Sequence, residues 1–261
     1  MDETCKRVCA VAGVVGTEAD WQAVEPIWNE RNAGIPFHAK DCESDQGDYN
    51  PKKHSENQNL YRDLTTIIAH SSLCGYAVAA NLIAERAYYP DAPMIYLREF
   101  YGVIDAMRWW AKQNAEISEC CFDNRLQTDF NAALIYANAR AVDPDWNPYL
   151  SSKISFESSQ KSPRIQIADL FAREAMKNLD NRIGPVKRDP RKSWIVLRDT
   201  GRFAIEEQDE DFFAAEEREW NSRLNVDNVR FNQYADWLRN TQRQHSLSNA
   251  IWFVNKNPNF R

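Results

Sequence analysis

The stretch that most constrains this chain is residues 162–175, Ser-Pro-Arg-Ile-Gln-Ile-Ala-Asp-Leu-Phe-Ala-Arg-Glu-Ala. Ser162 is of a type that caps helices, and Pro163 fits a first helical turn, where its missing N–H costs nothing. The spacing predicts a helix from there to about Leu179. Ile165, Ala168, Ala172, Met176 and Leu179 recur at three- and four-residue steps, and Ile167, Leu170 and Phe171 broaden the stripe. A helix that is apolar nearly all round is a buried one. Gln166, Asp169 and Arg173 share one narrow line along it. A carboxylate placed there loses water and needs a cation or a hydrogen-bond donor. Two readings stand open for Asp169. It pairs at the surface with Arg173, one turn on, for roughly 0.2–0.5 kcal/mol, or it meets a group that the fold brings to it.

Much of the remaining chain alternates between strand and helix signals. Residues 5–15 form a nearly continuous apolar run, which predicts a strand buried on both faces. Thr17 then caps a helix carrying Trp21, Val24, Ile27 and Trp28, with Glu18 and Asp20 in its first turn. The polar stretch from Glu43 to about Asn57 reads as a loop. A helix follows around Leu60–Ile68, a strand at 74–80 and a long helix at about 95–112. A short strand ends on Asp123, a further helix spans Phe130–Ile135, and Lys153–Glu157 alternates as an edge strand. The Trp109-Trp110 pair reads as core. Beyond about Arg182 the character changes to a basic cluster (Lys187, Arg188, Arg191, Lys192), an acidic run at 206–217 and helical segments. The expected organisation is an α/β domain over 1–182 and a basic loop with a mostly helical extension over 183–261.

Composition excludes several classes. The 261 residues contain only 8 Gly, and no Gly-rich phosphate loop is present. A net charge of -6 argues against a surface that binds nucleic acid throughout, although a local basic patch still serves. The six cysteines match no zinc spacing. With no export signal and no membrane-spanning run, the expected setting is the cytoplasm, with reduced thiols acting as core filler.

The acids carry the chemical interest. Asp2 and Glu3 precede the first strand, Asp123 ends an internal strand, and Asp169 lies on the buried helix. Ligands of open α/β sheets gather near strand ends. Carboxylates about 4 Å apart repel by roughly 4 kcal/mol at an effective dielectric of 20, so a fold that gathers three must neutralise them. Mg²⁺ or Mn²⁺ does so through oxygen ligands, and paired ions of this kind assist phosphodiester cleavage. Each acid also has a plainer role: Asp123 as a turn residue, Asp2 and Glu3 as a frayed terminus. His38, beside Lys40 and Asp41, is suited to bind a phosphate or shuttle a proton, or is an idle loop histidine.

Four of these runs occur in a telling order: Asp2-Glu3, Phe37-His38-Ala39-Lys40-Asp41, Cys121-Phe122-Asp123 and Gln166-Ile167-Ala168-Asp169-Leu170. Over residues 2–180 the chain resembles a widespread bacterial and phage family, domain of unknown function 3800. That family has an N-terminal Asp-Glu pair and a later Gln-x-x-Asp motif; here Thr4-Cys5 stands where it usually has Ser-Gly. The resemblance implies a ribonuclease H-like mixed sheet flanked by helices. It also implies metal ligands at Asp2, Asp123 and Asp169, with Glu3, His38 and Gln166 close by. The reading that follows is a divalent-metal-dependent nuclease or phosphodiesterase acting on nucleic acid, with Lys40, Gln166, Lys187 and Arg188 on the substrate side. The competing reading is a non-catalytic interaction protein that keeps the fold.

Overall fold

A computed structural model describes residues 7–88, 95–124, 129–142 and 148–223. The elements run β1 (Val8–Val15), α1 (Glu18–Arg31), α2 (Ala39–Ser44), a 3₁₀ turn (Gly47–Tyr49), α3 (His54–His70), β2 (Cys74–Asn81), α4 (Leu82–Tyr88), α5 (Ile95–Asn114), β3 (Ser118–Asp123), α6 (Asp129–Val142), β4 (Leu150–Glu157), α7 (Pro163–Ile183), α8 (Lys192–Arg198), β5 (Phe203–Gln208) and α9 (Glu210–Arg223). The architecture is α/β: a mixed three-stranded sheet in the order β1-β2-β5, and a separate β3-β4 pair. No helix among the described residues is long and apolar enough to cross a membrane.

Two compact units emerge, each built from discontinuous stretches of the chain. Of the described residues, one unit comprises 10–79 and 157–206, and the other those within 7–9, 80–156 and 207–223. Within the first unit α7 is covered on most of its circumference, with Ile165, Ile167, Leu170, Phe171, Ala175, Met176 and Leu179 all buried. It packs against α1, α2 and α8. Its Phe171 ring meets Phe203 of β5 edge-on at 5.2 Å and stacks near Trp194 at 6.2 Å. Gly75 of β2 lies so close that a Cβ there would collide with both Phe203 and Phe171, so only glycine fits. Thr17 and Asp20 form a capping box at the start of α1, with Thr17 N–H donating to Asp20 Oδ2 at 2.8 Å and Asp20 N–H to Thr17 Oγ1 at 3.2 Å.

Several expectations are corrected. Ser162 is the N-cap residue of α7, but its hydroxyl makes no capping bond. The stretch at 43–57 is not a plain loop. It contains the end of α2, the 3₁₀ turn and the start of α3, tied by the buried Asn57 amide, which donates to Asp45 Oδ1 at 2.8 Å and Tyr49 O at 3.0 Å. Residues 203–208 form a strand within the sheet, not part of a helical extension. Trp109 is 60% exposed rather than core. The thiols of Cys42 and Cys120 are pushed up to about 12 by burial, so they are not thiolates at neutral pH.

In the second unit, α4 packs on α9, and α5 packs on α6 and β3. Phe213 of α9 is buried against Ala80 and Ala84. Glu85 is buried beside them, and its Oε2 has no hydrogen-bond partner among the described residues. Burial raises its carboxyl to about 7, with Arg98 pulling down and Glu216 pushing up. Arg98 itself pairs with Glu216. A folded-state value above the unfolded one means that the stabilisation is complete below about pH 4.5 and is lost as pH rises through 7. The Glu85→Gln variant should therefore gain on wild type by about 3 kcal/mol between about pH 4.5 and 8. Denaturant unfolding at the two pH values measures this; a difference that does not vary with pH contradicts it.

Candidate functional site

Phe37 fixes the position of the His38 segment. Its buried ring packs against Trp28 at 5.5 Å, Tyr61 at 6.0 Å and Tyr49 at 6.3 Å. The next residue, His38, is the N-cap of α2, and its half-exposed ring sets Nδ1 3.4 Å from Asp41 Oδ2. The amide of Ala39 opens α2 and has no acceptor within the helix. Asp169 Oδ2 accepts from that amide at 2.9 Å, bridging 130 residues of sequence. A carboxylate is favoured at such a helix start. Asp169 is half-buried, and its Oδ1 receives no hydrogen bond from the described residues. Thus the structure brings together Asp169 and the His38–Asp41 run, in which Lys40 is half-exposed.

Gln166, one turn earlier on α7, is buried and engaged at both ends of its amide. Trp28 Nε1–H donates to its Oε1 at 2.9 Å, and its Nε2–H donates to Ser159 O at 2.7 Å. It also lines a cavity of about 400 Å³ together with Asn29, Ile35, Pro36, Gln160 and Lys161.

Further along α7 lies an ionic network that sequence reasoning missed. Arg173 does not pair with Asp169. Its Nε–H donates to Glu43 Oε2 at 2.7 Å, and Arg191 reaches Glu43 Oε1 at 3.2 Å. Glu174 is fully buried; it accepts from Tyr61 at 2.6 Å and Ser193 at 2.7 Å, with Arg191 at 3.4 Å. The Arg191 guanidinium also lies 5.1 Å from the Tyr61 ring centre. Burial pushes the Glu43 carboxyl up, but Arg191 and Arg173 outweigh it and hold it below its usual value. Burial and the adjacent Arg173 push the Lys177 ammonium down. The sequence signal for this network was the acid at Glu174 inside an apolar run, because its partners come from other segments.

Asp2 and Glu3 fall outside the described residues. Asp123 is the last residue of β3, in the other compact unit. Lys187 and Arg188 are exposed in the irregular segment after α7, where Arg188 N–H donates to Asn181 O at 3.0 Å. Arg191, expected to join that basic patch, is half-buried in the network instead. A carboxylate with one uncommitted oxygen fits one ligand position of a hard divalent cation. Among the described residues no group of three or more His, Cys, Asp or Glu side chains forms a complete cation site.

The geometry separates two neighbours by role. Gln166→Ala leaves the buried Trp28 N–H without its acceptor and should cost about 1–3 kcal/mol. Asp169→Asn keeps an acceptor oxygen for the Ala39 amide and should cost less than about 1 kcal/mol. Denaturant unfolding of both variants tests this, and an Asp169→Asn variant as destabilised as the Gln166→Ala variant contradicts it. In comparisons with protein-family models, curated proteins and solved structures, the chain has no significant match.

Proposed function

We propose that the chain is a divalent-metal-dependent nuclease or phosphodiesterase acting on nucleic acid, with a ribonuclease H-like fold and a cytoplasmic setting. The observation that carries the reading is Asp169. This half-buried carboxylate has one oxygen locked by the Ala39 amide and the other uncommitted, at the start of the helix that presents His38 and Lys40. Mg²⁺ or Mn²⁺ at such a carboxylate would supply Lewis-acid activation of a water or of the phosphoryl oxygen. His38, half-exposed and paired with Asp41, is the group suited to hold or move a proton. Lys40 stands beside it as a phosphate contact, and the exposed Lys187 and Arg188 offer further charge to a polyanion.

A second reading has its own observation. Both ends of Gln166 and one oxygen of Asp169 hold the unit together, as they would in a non-catalytic interaction protein that keeps the fold.

Incubation with single- and double-stranded DNA and RNA separates the two. The nuclease reading expects Mn²⁺-dependent, EDTA-sensitive products and a loss of at least about 100-fold in the Asp169→Asn variant. In Ca²⁺, the Lys187→Ala/Arg188→Ala variant should flatten the salt dependence of binding by about 0.7–0.9 per lost phosphate contact. Wild-type protein that cleaves no substrate, or an Asp169→Asn variant that cleaves at full rate, favours the interaction protein.

A further inference from the structure

We propose that the cavity beside Gln166 is a nucleobase subsite, receiving the base of an unstacked nucleotide next to Asp169. This rests on the nucleic-acid reading above and names where its substrate is read. The cavity, about 400 Å³, is of the size that holds a small organic group. Its polar wall consists largely of carboxamides: Asn29, Gln160 and Gln166. A carboxamide sets an N–H donor and a C=O acceptor side by side, the complement that the edge of a base requires. The side-chain amides of Asn29 and Gln160 make no hydrogen bond among the described residues, and both residues are exposed enough to be reached. Ile35 and Pro36 complete the lining, whose exposed surface is mainly polar and so suits the edge of a base rather than its face.

The charges around the opening suit a nucleotide. Glu25, the one acid in the lining, is already paired, with Arg164 Nε donating to its Oε1 at 2.6 Å. Lys161 brings an exposed ammonium, a phosphate contact of the non-specific kind.

Placement ties the cavity to the acid. The same two chain segments bound both. On α7, Gln166 lines the cavity, and Asp169 follows one turn later on the same face, about 5–6 Å away between Cβ atoms. On the other side, Ile35 and Pro36 line the cavity, and the chain runs on within three residues to the Ala39 amide that Asp169 holds. A single strand lying along these segments would set a base in the cavity and an adjacent phosphate beside Asp169 and His38. Reading splayed bases on their edges is the usual mode for single-stranded nucleic acid.

Equilibrium binding in EDTA tests this without requiring cleavage. The probes are fluorescein-labelled short single-stranded oligonucleotides, an abasic oligonucleotide of equal length, and the free nucleoside monophosphates as competitors. Wild type should prefer base-bearing over abasic strands by about ten-fold or more, as one bidentate base contact provides. The Asn29→Ala/Gln160→Ala variant should lose that preference while keeping its melting temperature and its affinity for the abasic strand. Equal affinity for both strands in wild type, or a preference that survives in the variant, overturns the subsite. Monophosphates that compete as well as the whole strand keep a base in the cavity but overturn the strand as its source. Base preference without Mn²⁺-dependent cleavage retains the subsite and removes the nuclease.

Discussion

Glu174 imposes the strictest demand in this chain. It is a carboxylate with no solvent contact in the middle of a buried helix. Such a charge is tolerated only when hydrogen bonds and counter-charge surround it. Tyr61 of α3, Ser193 of α8 and Arg191 supply them. Arg191 then extends the network to Glu43 at the end of α2, where Arg173 of α7 meets it. Removing one partner from a buried pair of this kind costs about 3–5 kcal/mol, so α2, α3, α7 and α8 stand or fall together.

The grip of α7 on α2 has a regular form. Asp169 holds Ala39, and Arg173, four residues on, holds Glu43, also four residues on. Two i,i+4 pairs thus clamp both ends of a helix only six residues long. An isolated helix of that length would not persist in water. The clamp, with the Phe37 ring among Trp28, Tyr49 and Tyr61, makes a short surface segment into a fixed support for His38 and Lys40. The residues that stabilise the unit and those suited to chemistry are therefore the same or adjacent. This is why Gln166 and Asp169 read equally well as structural joints and as site residues until variants separate the roles.

The centre of the unit was legible in the sequence because α7 repeats its apolar positions along its length. The capping of α1 was legible because Thr17 stands just before an apolar helical repeat with Glu18 and Asp20 in its first turn; the reciprocal bond from Asp20 was seen only in the structure. What lay hidden depended on distant segments. Helical spacing offered Asp169 as one of two open readings for a partner of Arg173, but Glu43, 130 residues away, offers a partly buried carboxylate and takes it. Arg191 read as one of four members of a basic cluster until Glu174 and Glu43 gave it a burial site. β5 was concealed because its polar positions, Glu206 and Glu207, merge into the acidic run that continues into α9. Trp109 read as core from its residue type, but the face of α5 that it occupies is open. Asp123 and Asp169 looked alike as acids, while their surroundings differ: one ends a strand, the other caps a helix.

The metal-dependent reading requires the uncommitted oxygen of Asp169 to be a ligand position for a divalent cation. Anomalous diffraction from crystals of the whole chain soaked in Mn²⁺ tests it most directly. A manganese peak is expected roughly 2.1 Å from Asp169 Oδ1, with Oδ2 still on the Ala39 amide, and no such peak in crystals of the Asp169→Asn variant. A fully soaked wild-type crystal with no peak at Asp169, or with manganese bound only elsewhere, would contradict it.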